Sequence, residues 1–424
     1  MKKFCMSCWM GVACLLLFPV LAQASGFQIN EQDTKAVSMG YAFAATADDP
    51  AAVYYNPAGI VQLDGTQVSA GVALIYIPDI SFKSSGTSAF GRSGRSSDAD
   101  SQSVFVPNFF ITHKFSDKWS MGLGSFTNYG LKTEWPDDWE GRYITGGTDA
   151  EINTISVNPV VAFRPIKRLS LSAGPVLQYL DVTLKNKRFL GPGVPDADVE
   201  LTGDDWAWGY NVGLMFWIKD NLKFGASYRS EVQHSITGGD LNLTGTPFGL
   251  FDLHDNASAD LDLPAITILG LAWHPGPLTL EFDAQWTQWS SYDKLEAKFD
   301  KLPTLSSPKN WDDVWAYHFG VNYALSPAFE VRAGITYDDN PIPDETLDPL
   351  VPSGERWLYS FGAGYHHGSF KADFAYTYLD DEDRSFRNDV GNYNQTIAPG
   401  LGNMTGQFED VYAHIFMLNL TYAF

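Results

Sequence analysis

No cysteine follows residue 14. The chain's three, Cys5, Cys8 and Cys14, crowd its N-terminus, so everything downstream folds without a disulfide framework. Positive charge is scarce as well. Lys and Arg number 28 against 50 Asp and Glu, for a net charge of −22. Such a surface repels a polyphosphate backbone, which excludes nucleic acid as a partner. No stretch beyond residue 24 approaches the run of about 18 uncharged apolar residues that a membrane-spanning helix needs. The chain also lacks fixed-period repeats, low-complexity tracts and proline-rich linkers.

What is there begins with a leader. Lys2 and Lys3 precede an apolar stretch from about Met10 to Leu21, and Ala22-Gln23-Ala24 supplies a small-x-small cleavage site. Residues 1–24 therefore read as a signal peptide, with Ser25 as the first mature residue. All three cysteines leave with it.

Aromatic residues make up 14% of the chain, and they recur with period two. The C-terminal segment is the clearest case. Tyr412, His414, Phe416, Leu418, Leu420, Tyr422 and Phe424 share one parity; Ala413, Ile415, Met417, Asn419, Thr421 and Ala423 share the other. Strand side chains alternate faces, so one face is apolar and rich in aromatics. A soluble edge strand of this kind invites aggregation. In a closed membrane barrel it meets lipid instead.

Alternating segments are predicted near 66–76, 104–115, 119–129, 151–163, 169–187, 206–219, 221–235, 260–274, 278–298, 314–325, 329–337, 357–366, 370–380 and 410–424. That is fourteen strands, an even number. Their connectors alternate between short turns such as Pro275-Gly276-Pro277 and long loops such as 77–103 and 381–409. A soluble β-protein has no reason to sort its loops by length. A barrel with short periplasmic turns, long extracellular loops and both termini periplasmic does. The expected fold class is thus all-β, a 14-stranded antiparallel transmembrane barrel over residues 66–424. The expected location is the outer membrane of a Gram-negative bacterium, among its lipids and lipopolysaccharide.

Parity also sorts charge. Glu281, Asp283 and Gln285 oppose Leu280, Phe282 and Trp286; Glu330 and Arg332 oppose Phe329 and Val331; Lys371 and Asp373 oppose Phe370 and Phe374. A lipid-facing Arg or Lys costs about 2–4 kcal/mol at the bilayer midplane, so these charges face the lumen. Opposite signs on neighbouring strands suggest a cross-braced lower lumen, although the same charges could line a water-filled porin eyelet.

Residues 25–65 stand outside the strand pattern. They are rich in small residues, among them Ala42, Ala44, Ala45, Ala51, Ala52 and Gly59. A compact plug, or hatch, inside the barrel is the natural reading, with a short helix over 36–47 and a turn at Tyr54 to Gly59. Here Ser25-Gly26-Phe27-Gln28-Ile29-Asn30-Glu31-Gln32, Ala47-Asp48-Asp49 and Asn56-Pro57-Ala58 resemble the FadL family of outer-membrane transporters. Further matches follow in order: Val106-Pro107-Asn108, Asn128-Tyr129-Gly130-Leu131, Tyr228-Arg229-Ser230-Glu231-Val232, Leu263-Pro264, Trp289-Ser290, Asp338-Asp339-Asn340-Pro341-Ile342-Pro343, Arg356-Trp357 and the terminal Tyr422-Ala423-Phe424.

The resemblance implies passive uptake of long-chain fatty acids, or of aromatic or alkane hydrocarbons, by a monomer assembled with the barrel assembly machinery. It implies that Gly26 and Phe27 form the hatch terminus, that Asn56, Pro57 and Ala58 belong to the hatch motif, and that Asn128, Tyr129 and Gly130 make an inward kink for sideways release. A glycine suits such a kink. By the same resemblance Arg188 and Lys309, with Phe27, are the candidate ligand contacts. A guanidinium pairs well with a carboxylate, while Asp312 and Asp313 crowd Lys309.

No catalytic residue, cofactor or metal is expected. His414 shares the lipid-facing parity and reads as an interfacial residue rather than half of a Ser–His pair. Asp380-Asp381-Glu382-Asp383 lacks the spacing of a calcium loop. A general porin is the less favoured alternative, because the hatch argues against an open lumen.

Overall fold

Fourteen antiparallel strands close into one barrel, matching the expected fold class. The computed structural model describes residues 26–85, 96–191, 193–386 and 405–424; the signal-peptide reading over 1–24, Ser25 and parts of three long loops lie outside them. In chain order the strands are Thr66–Ile77, Gln102–Lys114, a third in two pieces (Trp119–Phe126 and Gly130–Glu134), Asp149–Ile166, Leu169–Arg188 and Ala197–Lys219. The seventh (Leu222–Arg229, Val232–Thr244) and eighth (Leu253–Leu263, Ile266–Trp273) are also broken. Then come Leu278–Thr287, Val314–Ser326, Phe329–Asp338, Arg356–His367, Phe370–Asp381 and Tyr412–Ala423. The last strand pairs with the thirteenth on one side and the first on the other, with Gln67 opposite Ala423 and Tyr76 opposite His414. Closure removes the exposed edge that its aromatic face would otherwise endanger.

Lipid-facing parity is apolar throughout: Phe105 is 67% exposed, Phe361 59% and Phe374 50%. Aromatic rings gather at both rims: Trp286 lies beside Trp315 and Tyr376 hydrogen-bonds His414 toward the long loops, while Trp119 packs on Phe163 and Phe329 on Tyr365 by the short turns. That position suits amphipathic rings at a membrane interface.

The lumen is filled by residues 26–65. Helix α1, Thr34–Ser38, is capped by Asp33, whose carboxylate accepts from the Ala36 N–H. It ends well short of the helix expected over 36–47, because Gly40 and Tyr41 both adopt positive φ and turn the chain. A second helix, α2, spans Ala52–Tyr55, and a 3₁₀ turn follows over Pro57–Gln62.

Two features of the wall fit this plug. Asp283 accepts the backbone N–H groups of Phe43 and Ala44, both at 2.8 Å, and Glu281 accepts those of Ala45 and Thr46. Inward-facing glycines supply the second. A Cβ on Gly225 would strike the Ala44 carbonyl, one on Gly320 the Met39 carbonyl, and one on Gly334 the Gly40 amide. The lower lumen is cross-braced as well. Arg332 pairs with Glu330 and with Asp373 (2.8 Å), while Lys371 reaches Asp373 at 3.2 Å.

Candidate functional site: a cavity behind a window in the wall

The third strand fails to zip fully to the second. Their ladder runs from Lys114 opposite Ser120 to Phe109 opposite Ser125 and stops. Higher up, Gly130–Glu134 pairs only with the fourth strand. A single bond from the Asp100 N–H to the Glu134 carbonyl, 2.8 Å, closes the gap at the top. The result is a bounded window in the barrel wall. Its backbone groups find partners in the plug. The Ile29 N–H donates to the Asn128 carbonyl at 3.0 Å, the Gly130 N–H donates to the Phe27 carbonyl at 3.1 Å, and Gln28 forms a bridge with Tyr129. Buried backbone polar groups need such substitutes.

Asn128, Tyr129 and Gly130 thus sit at the break. Tyr129 is tied at both ends: its carbonyl accepts from the Thr154 hydroxyl (2.7 Å), and its own hydroxyl donates to the Pro264 carbonyl (2.9 Å) at the break in the eighth strand. Gly130 leaves room for Ile29, whose Cδ1 would lie 2.6 Å from an added Cβ.

Behind the window lies a cavity of about 420 Å³, within the roughly 300–1,000 Å³ range of small-molecule sites. Its apolar walls include Ile75, Val104, Val106, Leu131, Ile152 and Ile415. Phe27 forms its inner edge and is 4% exposed. The ring is caged by Trp289 (4.9 Å), Trp311 (5.7 Å), Tyr292 (5.9 Å) and Tyr129 (6.1 Å). Gly26, at φ +59°, has no space for a side chain: a Cβ would sit 2.5 Å from the Trp311 ring. The indole N–H groups of Trp289 and Trp311 are buried without an acceptor among the described residues.

Two of the charged groups that line the cavity are held by neighbours. Arg356 lines it but donates to Asp338 at 2.8 Å. Glu31 lines it too, accepting from the Tyr41 hydroxyl at 2.7 Å. Burial pushes the Glu31 carboxyl above its ordinary range, against the lowering effect of that hydroxyl. Burial likewise raises the Tyr292 phenol.

The sequence-predicted residues divide into three groups. Gly26 and Phe27 meet Asn128, Tyr129 and Gly130 at the window. Asn56, Pro57 and Ala58 sit elsewhere in the hatch: the Asn56 amide donates to the Ala44 and Leu214 carbonyls (2.7 and 3.0 Å) and its oxygen accepts from the Ala58 N–H, so this motif holds the hatch to the sixth strand.

The two basic candidates part company from the cavity. Arg188 is exposed at the upper end of the fifth strand, opposite Ala197, and does not line the cavity. The fifth strand ends at Arg188, where the sequence placed it, and it is the sixth strand, beginning at Ala197, that starts earlier than expected. Lys309 is 3% exposed and ion-paired with Asp348. The Arg356 and Glu31 contacts and the Trp289–Trp311 cage were not anticipated. The segments Ser25 to Gln32, Trp289-Ser290 and Arg356-Trp357 marked Glu31, Trp289 and Arg356, without indicating these contacts.

The fold and this site define a class: a transmembrane β-barrel with a luminal N-terminal plug and a cavity opening through its wall. The chain belongs to the outer membrane protein transport family described as OMPP1/FadL/TodX, whose model matches residues 15–424. It is therefore a member of a family of outer-membrane transport proteins. It is 29% identical over 408 residues to the long-chain fatty acid transport protein of Escherichia coli O6:H1, covering 83% of this chain and 89% of that one. Among solved structures it resembles a FadL homologue of Pseudomonas aeruginosa (TM-score 0.83, 23% identity, 94% of this chain and 100% of that one). The Pseudomonas putida toluene transporter TodX is a more distant neighbour (TM-score 0.72, 16% identity, 93% of this chain and 99% of that one).

Proposed function

We propose that this protein carries hydrophobic compounds, long-chain fatty acids first among them, passively across the outer membrane. The solute would fill the cavity, displace the Phe27 ring and leave sideways through the window between the second and third strands. No chemistry is involved: apolar burial contributes roughly 0.8 kcal/mol per methylene. The observation that carries this reading is the window itself, backed by a cavity and shut by the hatch terminus.

A direct test uses radiolabelled oleate uptake in a Gram-negative host without its own fatty-acid transporter. The wild-type chain should restore uptake. Gly130→Leu, which places a side chain in the window against Ile29, should abolish it while leaving heat-modifiable barrel mobility intact. Full uptake by an assembled Gly130→Leu barrel would contradict the route.

A second reading, uptake of uncharged hydrocarbons or alcohols, is favoured by one observation. Of the two bases that line the cavity, Arg356 and Lys132, Arg356 is already engaged by Asp338. Comparing oleate with oleyl alcohol in the same assay separates the two: preference for the acid supports the first, indifference or preference for the alcohol the second.

A further inference from the structure

The seventh strand carries a second interruption that the transport route does not use. Its ladder with the sixth runs up to Arg229 opposite Asn211, and resumes only at Asp240 opposite Thr202. Between these points one backbone bond and two side chains do the joining. The Ser230 N–H donates to the Tyr210 carbonyl and the Tyr210 N–H to the Ser230 hydroxyl, both at 2.9 Å. Asp205 accepts from the Ser235 N–H at 3.1 Å and faces His234 Nδ1 at 3.1 Å.

From His234 a buried chain of polar groups crosses the inner wall to the window. His234 Nε2 lies 3.2 Å from Gln178 Oε1 on the fifth strand. Gln178 Nε2 donates to Asn128 Oδ1 and to Ser156 Oγ, each at 2.9 Å, and Ser156 Oγ donates to Asn128 Oδ1 at 2.8 Å. Asn128, Ser156, Gln178 and His234 are each at most 1% exposed. The chain thus ends on the kink residue whose carbonyl holds Ile29 of the hatch.

The donor count makes this chain sensitive to one proton. Gln178 spends its N–H₂ group on Asn128 and Ser156, so its oxygen is what faces His234 Nε2. Asp205, an acceptor, faces Nδ1. Both ring nitrogens thus face oxygens, a set that the imidazolium satisfies in full and a neutral ring satisfies at one end only. A neutral ring sets a lone pair against one of these oxygens. On the Gln178 side that is relieved only if its amide turns over. Gln178 would then present its oxygen to Asn128 Oδ1, and Asn128 would have to turn as well. Asp205 is the charged group that bears on His234; Gln178, on the other side, is neutral.

We propose that His234 and Gln178 are positioning residues for the lateral route, relaying the protonation of His234 to Asn128 at the window. The charged ring holds Gln178 with a charge-assisted bond, and through Gln178 and Asn128 it holds the hatch strand in place. Solute release is slower in that state and faster when the ring is neutral. This inference rests on the sideways route proposed above.

The test measures uptake of oleyl alcohol, whose own charge does not change with pH, between about pH 5 and 8, the range in which an imidazole titrates. Wild-type uptake should fall roughly tenfold toward the acid side, the scale set by one charge-assisted hydrogen bond. His234→Gln should give a flat profile. Asp205→Asn, which removes the carboxylate that favours the charged ring, should move the fall to lower pH. A flat wild-type profile, or a wild-type profile in either variant, overturns the relay. If His234→Gln does not assemble, Asp205→Asn alone decides. Gly130→Leu reports on the route separately. If it blocks uptake while His234→Gln keeps the wild-type profile, the relay fails and the route stands.

Discussion

Phe27 and Lys309 show how differently two residues of one motif set are used. Phe27 is buried in an aromatic cage and holds backbone bonds to the window. Truncating a buried aromatic typically costs about 3–5 kcal/mol. Phe27→Ala should therefore loosen the hatch terminus, read as faster hydrogen exchange of the Ile29 and Gly130 amides with barrel amides unchanged. Unchanged exchange at those two amides would show that the cage does not hold the hatch. Lys309 is buried against Asp348, so removing it alone strands a buried carboxylate, a loss of about 3–5 kcal/mol. Lys309→Met should lower thermal stability markedly, and Lys309→Met with Asp348→Leu should restore most of it. If the double variant instead stays stable but loses preference for oleate over oleyl alcohol, Lys309 is a ligand contact rather than a loop brace.

At the scale of elements, strands were legible from sequence wherever lipid imposes alternation, and illegible above it. The sixth strand was expected from residue 206 and begins at Ala197; the seventh was expected to end at 235 and runs to Thr244. Above the lipid the outward face turns polar, Asp198 and Glu200 sharing the parity of Trp206 and Trp208, so the apolar outward face that marks the strand lower down is missing there. Two long loops were read as plain connectors. In fact Ser81–Ser84, Ser96–Asp98, Arg384–Phe386 and Gly406–Glu409 form a four-stranded sheet whose Phe82, Phe386 and Phe408 pack together with Trp139. That pairing joins residues more than three hundred positions apart, beyond any local pattern. The hatch was visible as a segment outside the strand pattern, but its seat was not. The glycine track and the Glu281–Asp283 carboxylates lie on strands whose sequence says only that they face inward. Gly225→Ala tests the seat. Overpacking costs typically about 1–3 kcal/mol, so the barrel should still assemble while the hatch is displaced and ion conductance rises. Wild-type conductance in that variant would mean the wall yields instead.

For the whole molecule, charge and shape divide the labour. The lower lumen is occupied by hatch, carboxylates and the Arg332 network, which leaves the described residues without the open eyelet of a general porin. The cavity instead meets the outside through the wall. On the proposed route the membrane is the receiving phase for an apolar solute, entered where the second and third strands part. The most direct measurement is photocrosslinking with a diazirine-bearing long-chain fatty acid bound to the full barrel in outer-membrane vesicles, with labelled residues mapped by mass spectrometry. Labels should fall on the cavity and window, at Phe27, Val104, Phe105, Leu131 and Ile152. Labels running instead down the lumen, past Glu281 and Arg332 toward the periplasmic turns, would contradict release through the wall.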